Sequence, residues 1–60
     1  MNKEEIMIKV GELFDITDKL ESIGSSFETT GNSHVAESIY SIKVDMDNKL
    51  TKLSLLLDLD

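Results

Sequence analysis

The chain contains no cysteine, which excludes disulfides and thiolate metal sites. Its single histidine, His34, cannot build a zinc site alone. A chain of 60 residues buries only about 60% of its unfolded surface, so its own core is marginal. With disulfides and metals set aside, association with another chain is the remaining means of stabilising the domain.

Arginine is also absent, and twelve acidic residues outnumber six lysines, for a net charge of −6. A chain this acidic is repelled by nucleic-acid phosphates and by anionic membranes, so we expect neither as a partner. The first residues turn acidic at Glu4 with no apolar run behind them, which argues against a secretory signal. The longest apolar-rich run, 53–59, is too short to span a bilayer. We therefore expect a cytoplasmic protein.

Proline is missing and glycine is scarce, which favours long, unbroken helices. In the first half, apolar residues recur every seven positions and a second set interleaves with them, so the 3-4 spacing predicts a helix over about 3–30. These positions are Ile6, Leu13, Leu20 and Phe27, with Val10, Thr17 and Gly24 between them. Gly24 leaves two interpretations open. Either its missing side chain lets a neighbouring helix approach, or the helix stops there and a capping box at Ser25 opens a short extra turn.

The second half steps by three or four residues and predicts a helix over about 33–57. Its apolar positions are Val35, Ile39, Ile42, Met46, Leu50, Leu53 and Leu57. Part of this region also alternates at strand period, which leaves a β-hairpin over 39–59 as an alternative. Because acids oppose the dipole at a helix C-terminus, we expect the chain to fray after residue 57.

A turn at 31–32 is expected between the two helices. Gly31 follows the first helical pattern, as a left-handed C-cap glycine does. Asn32 or Ser33 then offers a side-chain oxygen to the free N–H groups of the second helix. The sequence therefore predicts an all-α fold, in which residues 1–60 form a single domain, an antiparallel helical hairpin.

Apolar residues also lie outside the predicted seam of helix 1. Met7 and Phe14 lie along one flank, and Ile16 and Ile23 lie along the other. Because a hairpin offers each helix only one neighbour, we predict that two chains dimerise into a four-helix bundle. Met7 and Phe14 are expected near the two-fold interface.

A candidate contact surface includes Tyr40 and Val44, an i,i+4 pair off the seam of helix 2. The complete set of predicted protein-interface residues is Met7, Val10, Phe14, Ile16, Ile23, Tyr40 and Val44. Three carboxylates form a separate acidic face opposite the seam: Glu12, Asp15 and Asp18. Carboxylate metal sites in helical bundles use inward-facing residues, so we expect these three to be solvated and to hold no metal.

Catalytic and cofactor-binding patterns are not found. Gly31 stands alone in its turn and forms no phosphate-binding loop, and no serine lies in a nucleophile-elbow pattern. An EF-hand beginning at Asp45 fails because Lys49 and Leu50 occupy its fifth and sixth positions. We therefore expect no enzyme activity and no cofactor.

The predicted plan is similar to that of the Rop family, in which a hairpin of about 60 residues dimerises into a four-helix bundle. Rop-type RNA binding requires a basic helix face, whereas Lys3, Lys9 and Lys19 are scattered among acids here. In size, acidity and lack of cysteine, the chain also resembles small early proteins of bacteriophages, many of which bind and disable a host protein.

The expected function is therefore that of a non-enzymatic, homodimeric interaction module that binds a host or cellular protein, and inhibition of that protein is one form that this binding could take. Two alternatives stay open. The acids could mimic a nucleic acid and occupy a DNA- or RNA-binding cleft, or the chain could be a structural assembly subunit.

Overall fold

A computed structural model describes residues 2–59, which form two antiparallel α-helices, α1 (Lys3–Thr29) and α2 (Ser33–Leu59). This confirms the predicted all-α helical hairpin. No strand occurs among the described residues, so the β-hairpin alternative for 39–59 is wrong. Each helix has 27 residues and is about 40 Å long at 1.5 Å per residue. The hairpin is therefore a slab one helix thick, with extents of 45 × 15 × 11 Å.

The start of α1 is capped by a side chain. Oδ1 of Asn2 accepts a hydrogen bond from the backbone N–H of Glu5 at 2.8 Å. Glu4 and Glu5 lie in the first turn, where the helix dipole favours negative charge. The helix then runs without interruption through Gly24, so the alternative in which it stops there is wrong.

The bend between the helices is a Schellman motif. The N–H of Asn32 donates to the carbonyl of Phe27 at 2.9 Å, and the N–H of Gly31 donates to that of Glu28 at 3.2 Å. Gly31 has a φ of +84°, in the left-handed region that glycine enters without a Cβ penalty. The free carbonyls at the end of α1 are thus satisfied within five residues of chain.

The entry into α2 differs from the sequence-based expectation. The backbone carbonyl of Asn32 accepts the first helical hydrogen bond, from the N–H of Ala36 at 3.0 Å. Its side chain, however, donates from Nδ2 to Oγ1 of Thr30 at 3.1 Å and so braces the bend. At the other end, α2 extends to Leu59, two residues beyond the expected 57.

Little apolar surface is buried between the two helices. Among the described residues, the buried apolar side chains are Val10, at 4% exposure, and Ala36, at 1%. Thr17 and Gly24 are the other buried positions, and Val10, Thr17 and Gly24 follow each other at seven-residue steps along α1. The buried positions of α1 in the seam are therefore small or polar, which lets the helices approach closely but contributes little hydrophobic stabilisation.

Replacing Gly31 by alanine should lower the free energy of unfolding by roughly 1 kcal/mol, because alanine is strained at positive φ. Gly11→Ala is the matched control. A Cβ at either position meets no atom within 4 Å, but Gly11 lies inside α1. There alanine should raise the unfolding free energy by up to about 1 kcal/mol. Urea unfolding of both variants measures the contrast, and equal effects would contradict the left-handed cap.

Candidate protein-interaction surfaces

Two broad faces of the slab can be distinguished by the contacts that cross between the helices. Nζ of Lys43 on α2 lies 3.8 Å from Oδ1 of Asp18 on α1. A groove beside this pair is lined by Glu21 of α1 together with Tyr40, Lys43 and Val44 of α2. These residues therefore share one broad face, which we term the mixed face. At 3.6 residues per turn, the residues on the opposite flanks of both helices share the other broad face.

That second surface, the apolar face, is continuous across both helices. By helical spacing it comprises Leu13, Ile16, Leu20, Ile23 and Phe27 of α1, with Val35, Ile39, Ile42, Met46 and Leu53 of α2. Seven of these ten side chains are 38–53% exposed: Leu13, Ile16, Ile23, Phe27, Val35, Ile42 and Leu53. The face is thus half-covered by neighbouring residues of the hairpin and half open.

The apolar face is at the upper end of what a small monomer ordinarily exposes. Its seven most exposed residues present roughly 600 Å² together, whereas the largest apolar patch on a typical monomer is about 300–600 Å². The whole chain exposes 4506 Å², against about 3,900 Å² for a compact protein of its mass. Its radius of gyration is 14.1 Å, against about 10 Å for a compact 60-residue domain. The hairpin has the surface of an open layer, and its apolar face is the open side.

Charged residues are almost excluded from the apolar face. By helical position, only Glu5, Lys9 and Lys49 reach its outer edges, although 30% of the chain is charged. Nζ of Lys9 lies 3.6 Å from Oε2 of Glu12, and Nζ of Lys49 lies 2.7 Å from Oδ2 of Asp45. Each of the two lysines at these edges therefore has a carboxylate within salt-bridge distance.

The mixed face is organised by Tyr40, whose ring packs on the bare backbone of Gly24. A Cβ built at Gly24 would lie 2.6 Å from Cε1 of Tyr40, so the ring occupies the space that a side chain would need. Partial burial raises the pKa of Tyr40, and the nearby charge of Glu28 raises it further. Next to the ring, Val44 is 56% exposed. Tyr40 and Val44 form a ridge between two open grooves of about 300 and 440 Å³.

A polar network crosses the seam beneath this ridge. The hydroxyl of Thr17, which is fully buried, donates to Oδ1 of Asp47 at 2.5 Å and also lies 2.9 Å from the carbonyl oxygen of Phe14. Oδ2 of Asp47 accepts a hydrogen bond from Nζ of Lys43, whose side chain is only 16% exposed. Every buried side-chain polar atom of the described residues has a partner. The network therefore removes the desolvation cost that an unpaired group would carry at this position.

The ionisation of Asp47 is coupled to this network. The hydrogen bonds from Lys43 and then from Thr17 lower the pKa of Asp47, and the hydrogen bond to Asp47 raises the pKa of Lys43. Sequence patterns did not identify the pair as structural. The helical spacing of α2 nevertheless places both residues on the stripe that faces α1. Half-buried or buried residues follow this stripe at alternating steps of four and three: Ala36, Tyr40, Lys43, Asp47, Leu50, Ser54 and Leu57.

The predicted interface residues are divided among three places. Val10 lies buried in the seam between α1 and α2. Ile16 and Ile23 lie on the apolar face, at 49% and 47% exposure. The other four share the mixed face by helical position, with Met7 and Phe14 towards the open end of the hairpin and Tyr40 and Val44 nearer the bend. A single flat interface cannot include residues from both broad faces.

The predicted acidic face is exposed at all three positions, Glu12, Asp15 and Asp18. Two of them interact with lysines, since Glu12 pairs with Lys9 within α1 and Asp18 approaches Lys43 across the seam. Asp18 therefore lies at the edge of the mixed face and not opposite the seam. The three carboxylates do not form one uniform surface.

The stability of the hairpin should fall at acid pH partly because of Asp47. A lowered folded-state pKa means that the contribution is complete above the unfolded pKa of about 3.9 and is lost as the pH falls through the folded value. Asp47→Asn should therefore flatten the decline in unfolding free energy below about pH 4. Urea unfolding of wild type and variant at fixed protein concentration, across this pH range, measures the difference.

Asp45→Asn provides the matched control for that prediction. Asp45 also pairs with a lysine four residues away, but both side chains are about two-thirds exposed, at 65% and 72%. Exposed pairs of this kind contribute little, so its pH profile should follow the wild type. Identical profiles for Asp47→Asn and Asp45→Asn would show that the Thr17–Asp47–Lys43 network carries no special stability.

Over residues 2–59, no three histidine or acidic side chains lie close enough together to hold a metal ion. Neither helix in this range is long and apolar enough to cross a membrane. The similarity to the Rop family stays one of overall plan, a hairpin of two long helices. No protein family, curated protein or solved structure matches this chain.

Proposed function

We propose that this chain is a small, acidic, non-enzymatic protein–protein interaction module that binds a host or cellular protein. The observation that supports this proposal is the apolar face, which is two helices wide, extends about 27 Å along α2 from Val35 to Leu53, and is half open. Exposing such an apolar surface to water is unfavourable. The core of the hairpin itself is small, since its buried apolar side chains among the described residues are Val10 and Ala36. We therefore propose that another protein chain covers the apolar face in the functional state.

The charge distribution supports a protein, and not a nucleic acid or an anionic membrane, as the binding partner. The apolar face has almost no charge, and the mixed face carries Asp18, Glu21 and Asp47 around one lysine, Lys43. Neither face offers the clustered cations that bind nucleic-acid phosphates or anionic lipids. Apolar contact with polar edges is the chemistry typical of protein interfaces.

Our proposal places no catalytic site in the grooves of the mixed face, which are open to solvent. Their linings, which include Tyr40, Val44 and Asn48, contain no nucleophile paired with a base. A module without catalytic groups acts by occupying a surface of its partner. Inhibition of the bound protein is therefore the activity that we propose to measure once that protein is identified.

The proposal is tested by immobilising the chain, passing over it an extract of the cells in which it is made, and identifying what is retained. Wild type should retain a specific protein. Ile42→Glu places a charge on the apolar face at a residue 53% exposed and should abolish retention. Ile8→Glu is the matched control, because Ile8 is 63% exposed on the side of α1 that faces away from α2.

Equal retention by all three proteins, or retention by none, would contradict the proposal. Replacing Glu12, Asp15 and Asp18 together by Gln or Asn tests the competing mechanism. Under our proposal the triple variant still retains the cellular protein, and added salt weakens that binding only slightly. Loss of retention with an unaltered fold, and strong weakening by salt in the wild type, would replace the proposal by nucleic-acid mimicry.

A further inference from the structure

We infer that the protein covering the apolar face is a second copy of this chain, so that two hairpins stack face to face as a four-helix bundle. The inference rests on the proposed function and deepens it: the second copy covers the apolar face, and the dimer so formed is the module that binds the cellular protein through its outer surface. It also assigns the remaining exposed surface, which includes the Tyr40–Val44 ridge, to the outside of the dimer.

The first argument is the match of dimensions. Both helices have 27 residues, so each broad side of the hairpin is a rectangle with both long edges of equal length and the bend closing one end. With extents of 45 Å by 15 Å, the whole broad side that carries the apolar face measures roughly 700 Å², close to the ~800 Å² per partner of a standard stable interface. A second hairpin presents a surface of the same length, width and chemistry.

The second argument is the regular spacing of apolar residues along the whole face. Contacts across the seam advance seven residues along α1, from Thr17 to Gly24, while they retreat seven along α2, from Asp47 to Tyr40. This register brings residues of the two helices to common levels, so that each level of the face carries apolar side chains from both. From the open end to the bend these are Leu13 with Leu53, Ile16 and Leu20 with Met46, Ile23 with Ile42, and Phe27 with Ile39 and Val35.

The third argument is electrostatic. Two copies of a chain with a charge of −6 repel each other unless their acids stay out of the contact. Here the charged residues of the apolar face are confined to its outer edges and have both signs. Along those edges, Glu5 and Lys9 lie on α1, and Lys49 lies on α2. A second copy therefore meets charges of both signs and not a row of acids.

This arrangement changes which residues the sequence analysis places at the two-fold interface. Met7 and Phe14 share the mixed face with Tyr40, so they lie on the outside of the bundle. Leu13, Leu20, Ile39 and Met46 lie nearest the seam on the apolar face and form the centre of the four-helix core.

Sedimentation equilibrium at micromolar concentration tests the inference, with Ile16→Glu and Ile8→Glu as a matched pair on the same helix. Their exposures are similar, 49% and 63%, but only Ile16 lies on the apolar face. Wild type and Ile8→Glu should sediment at twice the chain mass of 6.7 kDa. In Ile16→Glu the dissociation constant should rise by roughly 100-fold or more, because the charge would be desolvated at the contact.

Far-ultraviolet circular dichroism on the same samples separates dissociation from unfolding. If Ile16→Glu unfolds, Ile16→Ala, which shortens the side chain without adding a charge, should weaken the dimer in the same direction by roughly 10-fold or more. A wild type that is folded and sediments at the chain mass at about 100 µM would overturn the inference. Equal weakening by Ile8→Glu and Ile16→Glu would overturn it too.

The two proposals fail in distinguishable ways. A folded wild-type monomer that retains a cellular protein, and loses it in Ile42→Glu, would overturn the self-association and leave the proposed function standing. A dimer that retains no cellular protein would confirm the self-association and contradict the proposed function, leaving a structural assembly subunit.

Discussion

The fold is governed by the fact that two helices side by side form only one layer. Each helix can cover one flank of the other, and the remaining apolar flank needs a second layer, because domains are built from at least two packed layers. Here the single layer buries only Val10 and Ala36 among the apolar side chains of the described residues. Seven of the ten residues of the apolar face remain 38–53% exposed, and a second chain covering this face would bury that surface.

The contacts between α1 and α2 determine which flank of each helix lies on which broad face of the hairpin. Gly24 leaves room for the ring of Tyr40, and Thr17 hydrogen-bonds Asp47, so both contacts are specific to one register of the two helices. The same two contacts lie towards the mixed face. A polar network there makes this side compatible with water and leaves the opposite side apolar. The register of the seam and the position of the apolar face are therefore consequences of the same few residues.

Much of the fold could be predicted from the sequence because it depends on local patterns. The seven-residue spacing of α1 and the glycine at the bend are sufficient for a helical hairpin. The strand-period alternation in α2 was misleading, because a continuous helix accounts for the same residues by steps of three and four. The expected end of the second helix at about residue 57 lies two residues before the observed end at Leu59.

The faces could not be predicted with the same success, because they depend on how the two helices are rotated about their axes. Periodicity showed that Met7 with Phe14 and Ile16 with Ile23 lie on different flanks of α1. Only contacts across the seam, such as that of Lys43 with Asp18, show which flank of α2 lies beside each. Lys43 and Asp47 looked like ordinary surface residues, since their pairing with a buried threonine requires the three-dimensional register.

The central claim is that contact with a second chain supplies the stability that the isolated layer lacks. The most direct measurement is thermal unfolding of the wild type by circular dichroism at concentrations from about 1 to about 100 µM. Because a dimer gains stability with concentration, the melting temperature should rise by roughly 10 °C across this range. A cooperative transition at one temperature throughout the range would contradict the claim, because it would show that the single layer is stable alone.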